Sequence, residues 1–280
     1  MEAEKRIEKA LMDAVRILPD DCRVLIAAAF ERETSPAGRK ALEYILKNIA
    51  IAENSMLPLC QDCGLFYAFV ELGRDSSIRP AAIERAVNEA ALNAAQKAFY
   101  RKSCVNDPVY DRINTGTDLP VIFDWQLRDG KGASVSFLLK GFGSENCSSV
   151  RMIRPTDGED GVVAAVLDIV RAAGGKPCPP MFLGIGIGAT MDKAAVLSKK
   201  ALVRPADRPN SDQRYAALEK RILDEVNSLG IGPGGLGGIN TCLAAAVEYL
   251  PTHIAGLPVA VSINCWADRK AFIEIEEGQL

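Results

Sequence analysis

Histidine and aromatic residues are scarce in this chain, and their scarcity excludes several kinds of site. The 280 residues include one histidine, His253, and aromatic residues make up 6%. A single histidine argues strongly against a Cys/His zinc site and against a Ser-His-Asp hydrolase. A lone loop histidine is also more often structural than functional, so we place no chemistry on His253.

Long apolar runs and an excess of charge of one sign are also missing. The longest clear apolar run, residues 24–30, is far too short to span a bilayer. No secretory apolar segment follows the charged N-terminus, so we expect a cytosolic protein. The net charge of −3 gives no basic footprint, and we therefore expect neither nucleic acid nor a membrane as a partner.

Hydrophobic periodicity and turn residues predict an α+β fold, with an N-terminal helical layer followed by mixed helices and strands. The predicted helices cover residues 4–18, 20–31, 36–54, 78–100, 159–173, 191–203 and 212–229. The predicted strands cover residues 66–72, 121–126, 133–139, 181–187, 242–249, 258–264 and 271–276. There is no internal repeat or low-complexity linker, so we expect one domain over residues 1–280. The Pro-containing loop at 204–211 is the best place for a subdomain boundary.

Eight cysteines are the feature around which the sequence is organised. In a chain of this size without an export signal, they argue against a disulfide framework. Cys22, Cys104 and Cys242 have no informative spacing, and we interpret them as packing residues. The segments 59–64, 143–147 and 176–180 instead place cysteines beside Gly, Pro or small polar residues, where backbone amides can face a bound ion.

Cys60 and Cys63 form a Cys-x-x-Cys pair, which occurs in redox, zinc and cluster sites. A thioredoxin-like pair should open a helix, whereas here a strand is predicted after the loop. A zinc site would need a second pair at short spacing, and the sequence has none. Thiolate-only ligation is more typical of iron–sulfur chemistry. We infer that one thiolate from each segment holds a cluster beside Asp62, with one iron left open as a Lewis acid.

Three further motifs are less specific. Residues 184–189 resemble a weak dinucleotide fingerprint, but the acid expected about twenty residues later is missing, so the glycines indicate close strand–helix packing. Residues 140–146 predict either an anion-binding nest, with charge supplied by Lys140, or a tight turn. Arg101 is either a carboxylate clamp or a solvated surface residue.

Five motifs together resemble the α-subunit, or N-terminal domain, of class I iron–sulfur hydro-lyases, which are fumarate hydratases and L-tartrate dehydratases. They are Cys60-Gln61-Asp62-Cys63-Gly64, Asn114-Thr115-Gly116, Lys140 to Asn146, Cys178-Pro179-Pro180 and Gly230 to Gly238. The resemblance covers nearly the whole chain, as far as Cys265-Trp266-Ala267-Asp268-Arg269. Each motif alone is weak, but five in the right order are specific.

The resemblance implies a [4Fe–4S] cluster with three cysteine ligands and an open iron that binds substrate. Cys60 and Cys178 match two ligand positions, and Cys147 is the nearest candidate for the middle one. Cys63 replaces a threonine of the family motif and is the alternative ligand. The resemblance assigns catalytic roles to Asp62, the acid at the substrate site, and to Arg101, which is similar to a carboxylate-binding arginine. Substrate binding is assigned to five further residues, Gln61, Lys140, Gly141, Gly143 and Ser144.

The resemblance also implies a partner. The residues proposed to move the proton in this family lie on the β-subunit or C-terminal domain, so we expect an obligate β-subunit and a homo-oligomer of αβ units. The expected reaction is reversible hydration of fumarate, a small dicarboxylate, to L-malate. The Ser144-Glu145-Asn146 loop favours fumarate over L-tartrate. A rival of another class is a non-catalytic iron–sulfur or zinc scaffold, in which the cysteines only brace the fold.

Overall fold

The computed structural model describes residues 2–280 and confirms the predicted α+β fold. The helices of this part of the chain are α1 (Glu2–Ala14), α2 (Asp20–Arg32), α3 (Pro36–Ser55), α4 (Pro80–Lys97), α5 (Phe142–Glu145), α6 (Gly158–Ala173), α7 (Met191–Val203) and α8 (Gln213–Ser228). Its strands are β1 (Leu65–Gly73), β2 (Ile122–Arg128), β3 (Ala133–Lys140), β4 (Ser149–Ile153), β5 (Met181–Gly188), β6 (Cys242–Leu250), β7 (Leu257–Asn264) and β8 (Lys270–Ile275). Over the same residues, no helix combines the length and the apolar character that a bilayer span requires.

Two short elements differ from the sequence prediction. The pattern predicts a loop over residues 140–146, but Lys140 ends β3 and α5 forms one helical turn within that segment. The pattern predicts no strand at β4, which is half-exposed and pairs along its length with β7. Such a short edge strand depends on its partner for stability, so its own sequence carries little signal.

The chain divides into two compact units. Unit 1 contains residues 2–19, 49–141 and 269–280, and unit 2 contains residues 20–48 and 142–268. The Pro-containing loop at 204–211 lies within unit 2, and a subdomain boundary there stays a prediction. The expectation of a single domain over residues 1–280 stays a prediction, because compactness alone does not show that either unit folds by itself.

Unit 1 is built on a four-stranded sheet with the order β2-β1-β3-β8. Strand β1 is parallel to β2 and antiparallel to β3, and β3 is antiparallel to β8. Helix α1 packs against α4 and β8, and the alanine-rich face of α4 is buried in the core. Leu65 pairs with Lys140, and Leu138 pairs with Lys270. The start of β1, the end of β3 and the start of β8 therefore meet at one end of the sheet.

Unit 2 contains a second four-stranded sheet with the order β4-β7-β5-β6. Helix α7 packs on β5 and β7, while α8 packs on β6 and α6. Glycines in β5 allow the close approach of α7, since a Cβ on Gly184 would lie 2.0 Å from the carbonyl oxygen of Ser198. A Cβ on Gly186 would lie equally close, 2.0 Å, to the carbonyl oxygen of Ala194. The prediction that the glycines of residues 184–189 serve strand–helix packing is confirmed for Gly184 and Gly186, whereas a Cβ on Gly188 would meet the carbonyl oxygen of Leu250 in β6.

Candidate functional site

The Cys60–Gly64 loop lies at the end of the unit 1 sheet, because it leads directly into β1. Its start is fixed by a hydrogen bond from the Leu59 N–H to the carbonyl oxygen of Val15 at 2.9 Å. Gly64 ends the loop with φ +83°, and a Cβ there would lie 2.5 Å from the carbonyl carbon of Lys140. Only glycine tolerates both conditions, so this backbone contact brings the first cysteine motif against the start of the 140–146 motif.

The two thiols of this loop have different surroundings. Cys63 is 1% exposed and belongs to the unit 1 core, where its sulfur accepts a hydrogen bond from the Arg101 N–H at 3.2 Å. Burial raises the pKa of the Cys63 thiol above its usual value, which opposes the thiolate form that metals bind. Cys60 is only partly buried. Cys60 is therefore the more accessible sulfur donor of the pair.

Asp62 and Arg269 flank a small space at Gly141. A Cβ on Gly141 would lie 3.1 Å from Oδ2 of Asp62 and 3.4 Å from Nη2 of Arg269. Arg269 is 2% exposed, and its Nε and Nη1 atoms have no hydrogen-bond partner within residues 2–280. Lys140 is also buried, and it ends β3 one residue after Leu139, whose N–H donates to the carbonyl oxygen of Arg269. Two buried cationic side chains near a carboxylate make this end of the sheet suited to an anionic ligand.

Arg101 lies at the same end of unit 1. Its side chain is exposed, and its backbone N–H makes the bond to Cys63 described above. The preceding residue, Tyr100, is buried and donates its hydroxyl proton to the carbonyl oxygen of Leu11 at 2.7 Å. This bond anchors the backbone at Arg101, while leaving its guanidinium open to solvent or to a ligand.

Asp118 and Arg269 are charged residues of unit 1 that sequence reasoning did not single out. Asp118 is buried; its Oδ1 accepts the Ser103 N–H at 2.6 Å, whereas Oδ2 finds no partner in the described chain. Burial raises the pKa of the Asp118 carboxyl. In the sequence Asp118 is an ordinary turn acid, and no local pattern distinguishes it. Arg269 was only weakly indicated as a site residue, because it is the last residue of the 265–269 segment in the family resemblance.

Gly143, Ser144 and Cys147 lie on or just after α5 in unit 2. Ser144 is buried, and its carbonyl oxygen accepts the Cys147 N–H at 3.1 Å. The Cys147 thiol donates to the carbonyl oxygen of Gly143 at 3.5 Å and packs against the unit 2 core. Cys147 also lines a cleft of about 560 Å³ together with Gly143 and Lys176. Its thiol thus has both a packing role and some access to solvent.

Cys178 lies where three sequence motifs of unit 2 meet. It is exposed, with φ +55° and its carbonyl oxygen accepting the Trp266 N–H at 3.4 Å. The next residue, Pro179, accepts the Gly234 N–H at 2.7 Å. The segments 176–180, 232–238 and 265–268 of unit 2 are therefore in backbone contact. Sequence reasoning did not propose Cys265 as a ligand, yet this contact brings its loop beside Cys178.

A buried carboxylate anchors the Cys265 loop. Asp268 is buried and accepts a hydrogen bond from Nδ2 of Asn264 at 2.5 Å and one from the thiol of Cys22 at 3.6 Å. Cys22 is itself fully buried, as the sequence predicts for a packing cysteine. Helix α2 thereby supports the loop that carries Cys265.

The donor set is compatible with a thiolate-bound cofactor. All eight cysteines are free thiols, and Cys60, Cys147, Cys178 and Cys265 each retain some exposure. In neither unit of the described chain do three His, Cys, Asp or Glu side chains stand close enough together to hold a metal ion. The unpartnered N–H groups of Arg269 in unit 1 fit a negatively charged group. Donor chemistry and charge therefore fit an anionic iron–sulfur cluster and an anionic substrate.

Comparison with known proteins gives one consistent family. The family model described as fumarate hydratase (Fumerase) matches residues 4–274. A Methanocaldococcus jannaschii protein named "Putative L(+)-tartrate dehydratase subunit alpha" is 37% identical over 282 residues, which cover 99% of this chain and 98% of that protein. The L(+)-tartrate dehydratase subunit alpha of Escherichia coli strain K12 is 30% identical over 257 residues, which cover 90% and 84%. The chain therefore belongs to the fumarate hydratase (Fumerase) family, and its resemblance to class I iron–sulfur hydro-lyase α-subunits is confirmed.

Proposed function

We propose that this chain is the cluster-bearing α-subunit of an iron–sulfur hydro-lyase that hydrates fumarate reversibly to L-malate together with a separate β-subunit. The observation that carries the proposal is the pair of buried cationic side chains, Lys140 and Arg269, at the Asp62 end of the unit 1 sheet. These two cations outnumber the carboxylate of Asp62, and the excess of positive charge favours a ligand that brings its own negative charge. A small dicarboxylate meets this requirement, and membership of the family supports hydro-lyase chemistry.

The thiolates of Cys60 and Cys178, with one further cysteine, would hold a [4Fe–4S] cluster. When bound, such a cluster supplies a Lewis-acidic iron that helps a hydroxyl group to leave. Sequence motifs favour Cys147 as the third ligand. The Trp266 N–H donates to the carbonyl oxygen of Cys178, and this bond holds the Cys265 loop beside Cys178. Cys265 is therefore the better candidate. Cys147 instead packs against the unit 2 core, and Cys63 is shielded in the core of unit 1.

The remaining residues of the proposed site bind and orient the substrate. Asp62 acts as the acid on the substrate side, and the exposed guanidinium of Arg101 clamps a carboxylate. Lys140 supplies positive charge from the end of β3. Further polar contacts come from Gln61 and from the segment that carries Gly141, Gly143 and Ser144. A base on the β-subunit handles the proton on the neighbouring carbon.

An L-tartrate dehydratase α-subunit is the second candidate, because the relatives described above carry that name. The two reactions remove water from similar dicarboxylic acids, so both fit the same charged site. Both candidates require a β-subunit, which the designation "subunit alpha" in those names supports.

Activity of the purified proteins tests the proposal. The chain is reconstituted anaerobically with iron and sulfide, mixed with a β-subunit encoded in the same genome, and assayed on fumarate and on L-tartrate. We expect the mixture to consume fumarate and either subunit alone to be inactive. Turnover of L-tartrate alone would support the second candidate, and turnover by the isolated chain would contradict the need for a partner. A reconstituted cluster with no turnover of either acid would favour the hypothesis of a non-catalytic scaffold.

A further inference from the structure

We propose that Arg269 is a positioning residue for Asp62, and that its guanidinium holds the carboxylate by charge across the space that Gly141 leaves open. This inference rests on the proposed function, in which Asp62 is the acid on the substrate side. Arg269 itself need not touch the substrate. Its role would be to keep the Asp62 side chain in one orientation at the end of the unit 1 sheet.

The first observation is the unusual burial of Arg269. Its side chain is one of the largest that are fully buried, and two of its nitrogen atoms have no hydrogen-bond partner in residues 2–280. A buried charge with unsatisfied N–H groups is costly, and native proteins rarely keep such a group without a reason. The residue is also fixed in place, because its carbonyl oxygen accepts the Leu139 N–H at 3.0 Å.

The second observation concerns the acids that could balance the charge of Arg269. Asp118 and Arg269 both act electrostatically on Tyr100 and Cys63. Burial raises the pKa of the Asp118 carboxyl, and the Ser103 N–H already occupies one of its oxygens. Asp62 is only partly buried and lies across the Gly141 space from Nη2 of Arg269. Asp62 is therefore the better counter-charge for the guanidinium.

The third observation is the lack of a side chain at residue 141. A Cβ there would lie 3.1 Å from Oδ2 and 3.3 Å from Cγ of Asp62, and 3.4 Å from Nη2 of Arg269. The two separations from Asp62 are tighter than most real Cβ contacts, whereas that from Arg269 is an ordinary van der Waals contact, so an alanine would press chiefly on the Asp62 carboxylate. Gly141 therefore allows Asp62 and Arg269 to share one space, and Gly141→Ala perturbs their relationship without removing either charge.

A double-mutant cycle on stability tests the interaction without requiring activity. Thermal unfolding is measured for the full chain and for D62N, R269Q and the double variant, with R85Q on the exposed face of α4 as the charge-matched control. We expect D62N to lower the Tm by about 2–4 °C in the natural chain. In the R269Q background the same change should shift the Tm by less than half as much. Equal shifts in both backgrounds would overturn the proposal.

A second cycle measures catalysis in the αβ complex with fumarate. We expect R269Q and G141A to lower kcat at least tenfold while changing KM less than threefold, and R269K to recover part of the loss. In the D62N background R269Q should lower kcat no further. Iron content per chain is measured for each variant, because a loss of kcat that merely follows a loss of iron would overturn the positioning role.

The two cycles separate this proposal from the proposed function. If the αβ complex has no hydro-lyase activity but the stability cycle shows coupling, the proposed function fails and the interaction of Asp62 with Arg269 stands. If the complex is active and both cycles are additive, the positioning role fails and the proposed function stands. If R269Q fails to fold, R269K and G141A replace it in both cycles, because both variants retain a positive charge at residue 269.

Discussion

A Cβ on Gly64 would lie 2.5 Å from the carbonyl carbon of Lys140. The backbone of the Cys60–Gly64 motif is therefore in direct contact with the backbone at the start of the 140–146 motif. The pairing of Leu65 with Lys140 in β1 and β3 creates this contact. The Cys60–Gly64 loop and the start of the 140–146 motif therefore form one structural element of unit 1, although they are far apart in the sequence. A change at Gly64 should affect both motifs at once.

Gly64→Ala should destabilise unit 1 by about 2–4 kcal/mol, since the new methyl group meets fixed backbone and the residue must also keep a positive φ. Gly116→Ala is the matched control, because Gly116 has φ +72° but open space where its Cβ would lie. It should cost only about 1 kcal/mol, the strain of the left-handed backbone. Urea unfolding measures both, and equal losses would show that the contact with Lys140 contributes nothing.

Serine substitutions should separate ligand thiols from packing thiols. After anaerobic reconstitution, Cys60→Ser, Cys178→Ser and Cys265→Ser should lose most of the iron and the broad brown absorbance of the cluster. Cys147→Ser and Cys63→Ser should retain both, because these thiols pack against the two cores. If Cys147→Ser loses the cluster while Cys265→Ser keeps it, the ligand inferred from the sequence motifs is the correct one.

Alkylation of the chain before reconstitution should follow thiol exposure. Cys178 is exposed and should react within minutes with iodoacetamide near neutral pH. Cys242 is fully buried, and burial raises the pKa of its thiol to about 12, so the reactive thiolate is almost absent. Peptide mass spectrometry should find Cys242 modified only after denaturant is added. Early modification of Cys242 would contradict the burial of β6.

Glu33 should make a pH-dependent contribution to the stability of unit 2. Burial alone would raise the pKa of its carboxyl, but N–H groups of Ser35, Ile239 and Asn240 outweigh burial and lower the pKa below its usual 4.5. A carboxyl whose pKa is lowered by folding stabilises the protein above the unfolded pKa. That stabilisation is lost as the pH falls through the lower, folded pKa.

Glu33→Gln should therefore cost about 1–3 kcal/mol at pH 7, because the amide presents N–H groups to donors that need an acceptor. The difference from the natural chain should shrink as the pH falls below about 4.5, where the Glu33 carboxylate itself becomes protonated. Glu31→Gln, at an exposed position near the end of α2 and two residues before Glu33, is the control and should change stability by less than about 0.5 kcal/mol. A constant difference between pH 7 and pH 3 would contradict this role for Glu33.

Local sequence patterns predicted most helices and strands, but not every side-chain hydrogen bond at the starts of the helices. Ser35 accepts the Gly38 N–H and Asp212 accepts the Arg214 N–H, as their positions before α3 and α8 suggest. Thr190 lies at the predicted start of α7, yet its side chain makes no capping bond and its hydroxyl donates to Asp192 instead. A nearby carboxylate competed for the hydroxyl, and such competition depends on rotamers that a pattern does not specify.

The sequence alone determined the α+β class, the positions of nearly all long helices and strands, and the family. These follow from periodicity and from motif order, which are properties of residues close together in the chain. Three-dimensional packing, by contrast, buries Arg269 and Asp118, places Cys63 in a core and brings the Cys265 loop into contact with Cys178. Burial and proximity arise from strand pairing and helix packing between distant segments, and no local pattern encodes them.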